Sequence, residues 1–579
     1  MSERIFNGIG VSGGIQIGKV HLYKSNPVLD TSQNITVENR ESEVARFRSA
    51  VSQAALEVDA LIKQASKTLG KDKIGVLKGQ KNFLADPAYG PEIEEQIEKE
   101  LFSSEKAVKL ITDKYVFTFE NMSNEYIKER AADVRDAGNR ILNILSGKKV
   151  GELAQISEKV ILIADELSPS DTIQLNKNFV LGFITEKGGK TSHTAIFAKT
   201  LGIPAVVGIS GISGAVSDGD TVILDGLRGI CIVNPQPQAV KAYEKAKKAE
   251  MDNLLLFEKY SKVEGITADG RKVITAANIG SAADVPFSIE QGAEAIGLFR
   301  TEQVYLSRDT FPDEEEQFTE YQKIALSYAE KEVVVRTLDI GGDKALKYLN
   351  IPKEENPFLG YRAIRLCIDK KELFLTQLRA ILRASAYGNL AIMFPMISGY
   401  DELLAAKRIL EEAKSELKEK KIPFNENIKT GIMIEIPSAA LTADFLAKEV
   451  DFFSIGTNDL VQYTLAVDRG NEKVSYLYDY CNPAVVILIK RVSDAAHANG
   501  IRVGMCGGMA GDPLAVPLLV GLNIDELSMA AGVIPEVKYL IGKLNSGECK
   551  KLADAIVLEK STKAIRNLLQ KYHQDSVSE

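Results

Sequence analysis

From residue 265 onward, eight β-type runs alternate with stretches of helical pattern, and this alternation constrains the fold more than any other feature of the chain. The runs are KVITAANIG (272–280), AEAIGLFRTE (293–302), EVVVRTLDIGGD (332–343), LAIMFPMI (390–397), KTGIMIEIP (429–437), DFFSIGTND (451–459), IRVGMCGG (501–508) and IDELSMA (524–530). Eight strand and helix alternations over roughly 300 residues predict a (β/α)8 TIM barrel, whose active site sits at the carboxyl ends of its strands. Those ends supply Asn278, Arg300, Glu302, Arg336, Asp339, Met396, Glu435, Asn458, Asp459 and Cys506. A lone arginine at a strand end is more often a surface salt bridge. Several functional residue types converging on one rim point instead to chemistry.

Arg300, Arg336 and Arg469, the last in the AVDRGN loop after the sixth run, carry forked guanidinium donors that match a phosphate or a carboxylate. The implied ligand is a small, multiply charged anion. Glu435 and Asp459 end neighbouring runs, and two carboxylates completed by substrate oxygens and water suit Mg2+. Cys506 lies among glycines in GMCGGMAG, where a thiol can give or take a proton at a substrate carbon. The alternative for such a cysteine is a buried small hydrophobe.

The first 234 residues have a different texture. Residues 11–23 look like a strand and turn, and from Val44 to Leu69 apolar residues recur at helical spacing. That spacing returns from Val108 to Tyr126 and from Val134 to Leu145, so residues 33–145 predict a small helical bundle. The β-branched runs VILIA (160–164), VLGFIT (180–185), PAVVGI (204–209), TVILDG (221–226) and GICIV (229–233) predict an α/β domain into which that bundle is inserted. After Pro235 and Pro237 a charged helical connector follows.

GGKTSHTAIFAK (188–199) opens a helix after VLGFIT. A Walker loop needs glycine where this chain has Ile184, so ATP binding at the loop is excluded. What remains is His193 in the first turn of a helix, flanked by Thr191, Ser192 and Thr194. A phosphoryl group there would meet free backbone N–H groups and the positive end of the helix dipole, which suits a covalent phosphate carrier. A lone histidine is otherwise usually structural. The chain has only three more: His21 reads as a strand residue, His497 as helical and His573 as part of a frayed tail.

A net charge of −8 across 579 residues is too mild and evenly mixed for a nucleic-acid or membrane surface. Five scattered cysteines without a Cys-x-x-Cys pair fit a reducing compartment, and there is neither a signal segment nor an apolar run of membrane-spanning length. A cytoplasmic protein is expected.

Together, GGKTSHTAIFAK, GLFRTE, DIGGDK, NPFLGYRAIR, IMFPMI, IEIPSA, FFSIGTNDL, AVDRGN and GMCGGMAGD resemble the Enzyme I family of the bacterial sugar phosphotransferase system, in the family's order and over almost the whole chain. The resemblance implies a phosphohistidine α/β domain (1–32 and 146–234), an inserted helical subdomain that docks the phosphocarrier protein HPr (33–145), a linker helix (235–263) and a barrel that binds phosphoenolpyruvate and forms a homodimer (264–579). It implies that His193 takes the phosphoryl group beside Thr172, that Arg300, Arg336, Asn458, Asp459 and Arg469, with Arg362 nearby, hold the substrate, that Glu435 and Asp459 bind Mg2+, and that Cys506 protonates the enolate to pyruvate. The sequence departs from the family pattern at Lys190 and Lys199, where arginines are usual, at Gly508, where a glutamate is usual, and at Gln303, where an apolar residue is usual. A pyruvate phosphate dikinase or phosphoenolpyruvate synthase would need a nucleotide-grasp domain, which the helical amino-terminal pattern argues against. A regulatory paralogue would be expected to lose His193, Arg300 or Cys506, and all three are present.

Overall fold

The computed structural model describes residues 3–577 except 24–33, 69–70, 123–124, 148–152, 190–191, 307, 309, 343–345, 347, 350, 352–353 and 472, and gives only the backbone at 64–68, 71–76, 125–129, 154, 169–170, 173, 193, 196, 200–201 and 576–577. The chain divides into two compact units, one up to Asp252 and one from Asn253.

In the first unit, β1 (Arg4–Asn7), β2 (Ile9–Ser12), β3 (Ile15–Tyr23), β4 (Val160–Ala164), β5 (Val180–Thr185), β6 (Ala205–Val207), β7 (Thr221–Asp225) and β8 (Ile230–Val233) form one sheet in the order β1-β8-β7-β3-β4-β5-β6-β2. The central β3 to β6 run parallel, and β7, β8, β1 and β2 add antiparallel at the two sides. VILIA is an unbroken apolar run because the sheet is covered on both faces: Leu162 and Ala164 pack into one core, and Ile161 and Ile163 into the other. The strand β1 carries no such signature, since three of its four residues are exposed, and the sequence pattern passes over it.

Between β3 and β4 the described residues form five α-helices, α1 (Arg40–Thr68), α2 (Lys71–Leu84), α3 (Tyr89–Lys99), α4 (Ser104–Glu120) and α5 (Glu125–Leu145). Their core, built on Phe47, Val58, Tyr89, Ile93 and Ile141, is distinct from the two sheet cores. The helical spacing read from Val108 to Tyr126 spans two helices, because α4 ends at Glu120 and Tyr126 belongs to α5. A long helix, Pro237–Tyr260, follows β8 and buries none of its residues.

The second unit is a closed barrel of parallel strands, β9 (Ile274–Ile279), β10 (Ala295–Arg300), β11 (Val333–Arg336), β12 (Leu390–Phe394), β13 (Lys429–Ile434), β14 (Phe452–Ile455), β15 (Arg502–Met505) and β16 (Glu526–Met529), with β16 pairing back to β9. All eight sequence runs contain one of them. Alternation explains the runs: Val334, Ala391, Met393 and Met433 fill the barrel interior, while Val333, Val335, Ile392, Phe394, Ile432 and Ile434 pack outward against the helices. The carboxyl-terminal segment is no frayed tail. His573 lies on the helix Thr562–Val577, which is docked by the fully buried Ile565 and Leu569. Among the described residues no helix is long and apolar enough to cross a membrane.

The interior is packed tightly enough to test. A Cβ at Gly431 on β13 would fall 2.5 Å from ring carbons of Phe452, itself 2% exposed. Gly431→Ala is expected to destabilise the barrel by about 1–3 kcal/mol in denaturant unfolding. An unchanged midpoint would show that the interior has room to adjust.

Candidate active site

The barrel rim is organised by arginine. β10 ends on Arg300 and β11 on Arg336, and the two residues face each other in the parallel ladder. Arg300 is exposed, whereas Arg336 is 6% exposed and must be met by counter-charge, because removing an ion from water costs several kcal/mol. Its Nη2 donates to Glu302 Oε1, and its Nη1 stands 3.1 Å from Asp339 Oδ2. The other oxygen of Asp339 accepts from Arg362 Nη2 at 2.7 Å. Arg362 is also buried, donates from Nη1 to the Tyr463 hydroxyl at 3.3 Å and lies 5.7 Å from the centroid of the Phe358 ring. Burial pulls the pKa of both guanidinium groups down. Glu302, Asp339, Glu435 and Cys506 around Arg336, and Asp339, Asp459 and Tyr463 around Arg362, more than offset it and hold both above the usual arginine range.

The carboxylates have the opposite balance. Glu435 directly follows β13, is 1% exposed, and accepts the Met396 N–H at 2.6 Å. Met396 offers that N–H from a φ of 58°, a conformation a non-glycine residue adopts only under constraint. Burial raises the Glu435 pKa well above the carboxylate range, and Asp459 and Asp339 add to it against Arg336 and the Met396 N–H. Asn458 and Asp459 are not on a strand end as the sequence pattern had them. β14 closes at Ile455, and both residues lie in the first turn of the helix Thr457–Leu465, where the dipole favours a carboxylate. Glu302 likewise opens a short helix beyond β10. Asp459 Oδ1 is buried without a hydrogen-bond partner among the described residues, and Arg469 Nη1 stands 3.9 Å from it.

These two carboxylates fit a divalent cation. One is buried beside a like charge, and the other has an unused buried oxygen. Among the described residues no group of three or more His, Cys, Asp and Glu side chains forms a ready cage. The pair would therefore be a partial ligand set, as Mg2+ prefers when substrate and water complete its shell.

Cys506 follows β15 and is 3% exposed, packed in the barrel interior with Leu298, Val334 and Met433. Its N–H donates to the Ile455 carbonyl at 3.1 Å, and its own carbonyl accepts from Asn278 Nδ2 at 3.1 Å. Burial pushes the thiol up to about 11; Glu435 acts in the same direction, and Ser454, Arg336 and Arg300 act against it. At neutral pH the group keeps its proton, which is the state of an acid rather than of a nucleophile. Two residues on, the Gly508 N–H donates to Asn458 Oδ1 at 2.9 Å and ties this loop to the helix start carrying Asp459. The Gln303 side chain packs close over Gly280.

The second centre belongs to the first unit. Ser192 caps the helix His193–Leu201 by accepting from the Ala195 N–H, so His193 occupies its first position. The neighbouring Thr194 donates to the Leu167 carbonyl at 3.1 Å. Leu167 leads into the helix Pro169–Gln174, which is closed by a reciprocal Ser168 and Asp171 cap, carries the buried Thr172 and packs against the histidine helix. Gly188 reaches this turn with φ of 111°. Lys190, Thr191 and the His193 side chain lie outside the described residues, and Lys199 is exposed in the helix's last turn.

The structure therefore brings Arg336, Arg362, Glu435, Asp459 and Cys506 into one electrostatic cluster, with Asn458 and Arg469 joined to it by direct contacts. Sequence reasoning gave no role to Tyr463, whose hydroxyl donates to the Phe358 carbonyl at 2.6 Å. The available signal was its position four residues after Asp459 on a helix. It also gave Glu302 and Asp339 no partner. For Cys506 the chemistry is measurable: its alkylation rate, followed by peptide mass spectrometry, is expected to climb about tenfold per pH unit from 7 to 10 as thiolate forms. A plateau below pH 9 would contradict a proton-holding thiol.

Profiles described as "PEP-utilising enzyme, N-terminal", "PEP-utilising enzyme, mobile domain" and "PEP-utilising enzyme, PEP-binding domain" match residues 7–130, 156–229 and 256–546. The phosphoenolpyruvate-protein phosphotransferase of Staphylococcus carnosus is 44% identical over 576 residues, covering 100% of both chains. That of Listeria monocytogenes is 47% identical over 565 residues, 98% of each chain, and that of Bacillus subtilis is 47% identical over 558 residues, 96% of this chain and 98% of the other. Identity sustained along both units, with a profile matched to half of the chain, leaves a single family for this architecture: the chain belongs to the phosphoenolpyruvate-protein phosphotransferases, a branch of the PEP-utilising enzymes.

Proposed function

We propose that this protein transfers the phosphoryl group of phosphoenolpyruvate first to its own His193 and then to the histidine of the phosphocarrier HPr, releasing pyruvate and opening sugar uptake. The observation that carries the reading is the rim itself, where braced arginines, an incompletely partnered carboxylate pair and a protonated thiol surround one mouth of the barrel. Arg300 and Arg469, both partly open to solvent, receive the phosphate and carboxylate, with Arg336 and Asn458 behind them. Arg362 fixes Asp339 and thereby the orientation of Arg336.

The bond from phosphorus to the enol oxygen breaks as a phosphorus–nitrogen bond forms on His193. The loose transition state of such a transfer asks mainly for positioning and charge neutralisation. The enolate left behind takes a proton on carbon from Cys506 Sγ, giving pyruvate, and the thiolate regains its proton from solvent. Glu435 and Asp459 would hold Mg2+, which when bound neutralises charge on the phosphoryl and enolate oxygens. Thr172 lies on the helix packed against that of His193, which suits a supporting role at the phosphoryl acceptor. The helical insert (33–145) docks HPr, and the barrel unit pairs into a homodimer. His193 belongs to one unit and the rim to the other, so the transfer joins chemistry from both units of the chain.

Incubation with phosphoenolpyruvate and Mg2+ is expected to add one acid-labile phosphoryl group at His193. Equal labelling of wild type and His193→Ala in intact-mass spectrometry would sink the assignment. For the metal, saturating Mg2+ is expected to raise the melting temperature of the wild type by roughly 5 °C and to leave Glu435→Gln unmoved. An equal rise in both would remove Glu435 from the metal site.

A further inference from the structure

The helix Thr562–Val577 lies beyond the eighth strand and contributes nothing to the barrel ladder, yet it places one side chain against the rim loops. Ile565 and Leu569 anchor it in the core, and between them Arg566 grips Asp479 with both forks, Nε to Oδ2 at 2.7 Å and Nη2 to Oδ1 at 2.9 Å. Asp479 Oδ1 also accepts the Cys481 N–H at 2.8 Å, so the carboxylate fixes its own turn. The guanidinium lies 5.5 Å from the Tyr480 ring centroid.

What makes this pair more than a surface contact is the identity of its neighbours. Tyr478, on one side of Asp479, donates its hydroxyl to the Asn458 carbonyl at 2.9 Å. Tyr480, on the other, donates to Asp512 Oδ2 at the end of the turn Gly508–Gly511 that follows Cys506. The same connecting segment carries Arg469, whose Nη1 stands 3.9 Å from Asp459 Oδ1. One ion pair thus braces a segment that reaches the helix start carrying Asn458 in one direction and the thiol loop in the other.

We propose that Arg566 is a positioning residue for the transfer, acting through Asp479 to hold Arg469 and Asn458 at the distance from Cys506 that the substrate requires. The proposal rests on the rim being the phosphoenolpyruvate site. A bidentate, charge-assisted pair resists both sliding and twisting of the carboxylate, which a single ammonium contact does not. The clamp touches no reacting atom. Its loss loosens the anion-binding loop before substrate arrives, so it is read in KM more than in kcat.

The test uses the full-length protein and steady-state pyruvate release with HPr as acceptor. Arg566→Ala and Asp479→Asn are each expected to raise KM for phosphoenolpyruvate about fivefold or more while kcat falls less than twofold. Arg566→Lys is expected to be intermediate, and the double substitution no worse than the stronger single one. Arg336→Ala, run in parallel, separates the two readings. If it leaves transfer intact, the rim is not the substrate site. If it abolishes transfer while Arg566→Ala merely lowers the melting temperature with KM unchanged, the clamp alone is overturned. Should Arg566→Ala fail to fold, a folded Arg566→Lys with wild-type KM overturns it equally.

Discussion

The rim depends on a shared carboxylate. Asp339 gives one oxygen to Arg336 and the other to Arg362, and Glu302 closes Arg336 from its far side. Two guanidinium groups buried to this extent would each cost several kcal/mol if left alone, and removing one partner of such a set leaves an uncompensated buried charge. The network therefore locks the turn after β11 to the segment carrying Arg362, and Tyr463 extends the lock to the helix after β14. The arginines and carboxylates of that inner set neutralise one another, and Glu435, buried beside Asp459 and Asp339, is pushed towards its protonated form. The outer arginines, Arg300 and Arg469, are exposed, and Arg469 stands 3.9 Å from Asp459.

The same environment sets the state of the thiol. Arginines near a cysteine ordinarily lower its pKa towards a nucleophile, and both Arg336 and Arg300 act on Cys506 in that sense. Burial against the apolar barrel interior outweighs them, with Glu435 adding to the effect. Because the substrate carbon in the proposed reaction needs a proton donor, an apolar floor beneath a charged rim suits the step better than an evenly polar mouth. The Asn278 amide holds the backbone at this point and donates to the Cys506 and Ser528 carbonyls alike, while the thiol itself points to the Ile455 carbonyl at 3.8 Å.

Much of the fold was legible because burial on both faces writes β-branched runs into the chain. VILIA corresponds residue for residue to β4, and every barrel run contains its strand. Where a strand is exposed, as in β1, the signal vanishes. Helix ends were the weaker part: the apolar spacing from Val108 to Tyr126 is continuous although the chain breaks after Glu120, since periodicity registers a face and not a turn. At the site, the identities of the rim residues were readable but their partnerships were not. Whether Asp339 serves one arginine or two depends on how a loop folds back, and Arg566 is indistinguishable in sequence from any other cation on a charged helix. Asn458 and Asp459 were assigned to a strand because FFSIG continues into them without a break; Gly456 ends it.

Histidine is scarce, and the structure sharpens the consequence. In the barrel unit His497 pairs with Asp525 Oδ2 at 3.0 Å, beside the amino-terminal ends of β15 and β16, on the face opposite the rim. His573 sits on the carboxyl-terminal helix, and His21 lies within β3 with a buried Nε2. None of these three stands at a helix start, where free N–H groups would stabilise a phosphorylated ring. His193 has that position, behind a serine cap and on the other compact unit. Among the described residues the rim contains no imidazole, so the proposed reaction draws its phosphoryl acceptor from the other compact unit and not from the barrel.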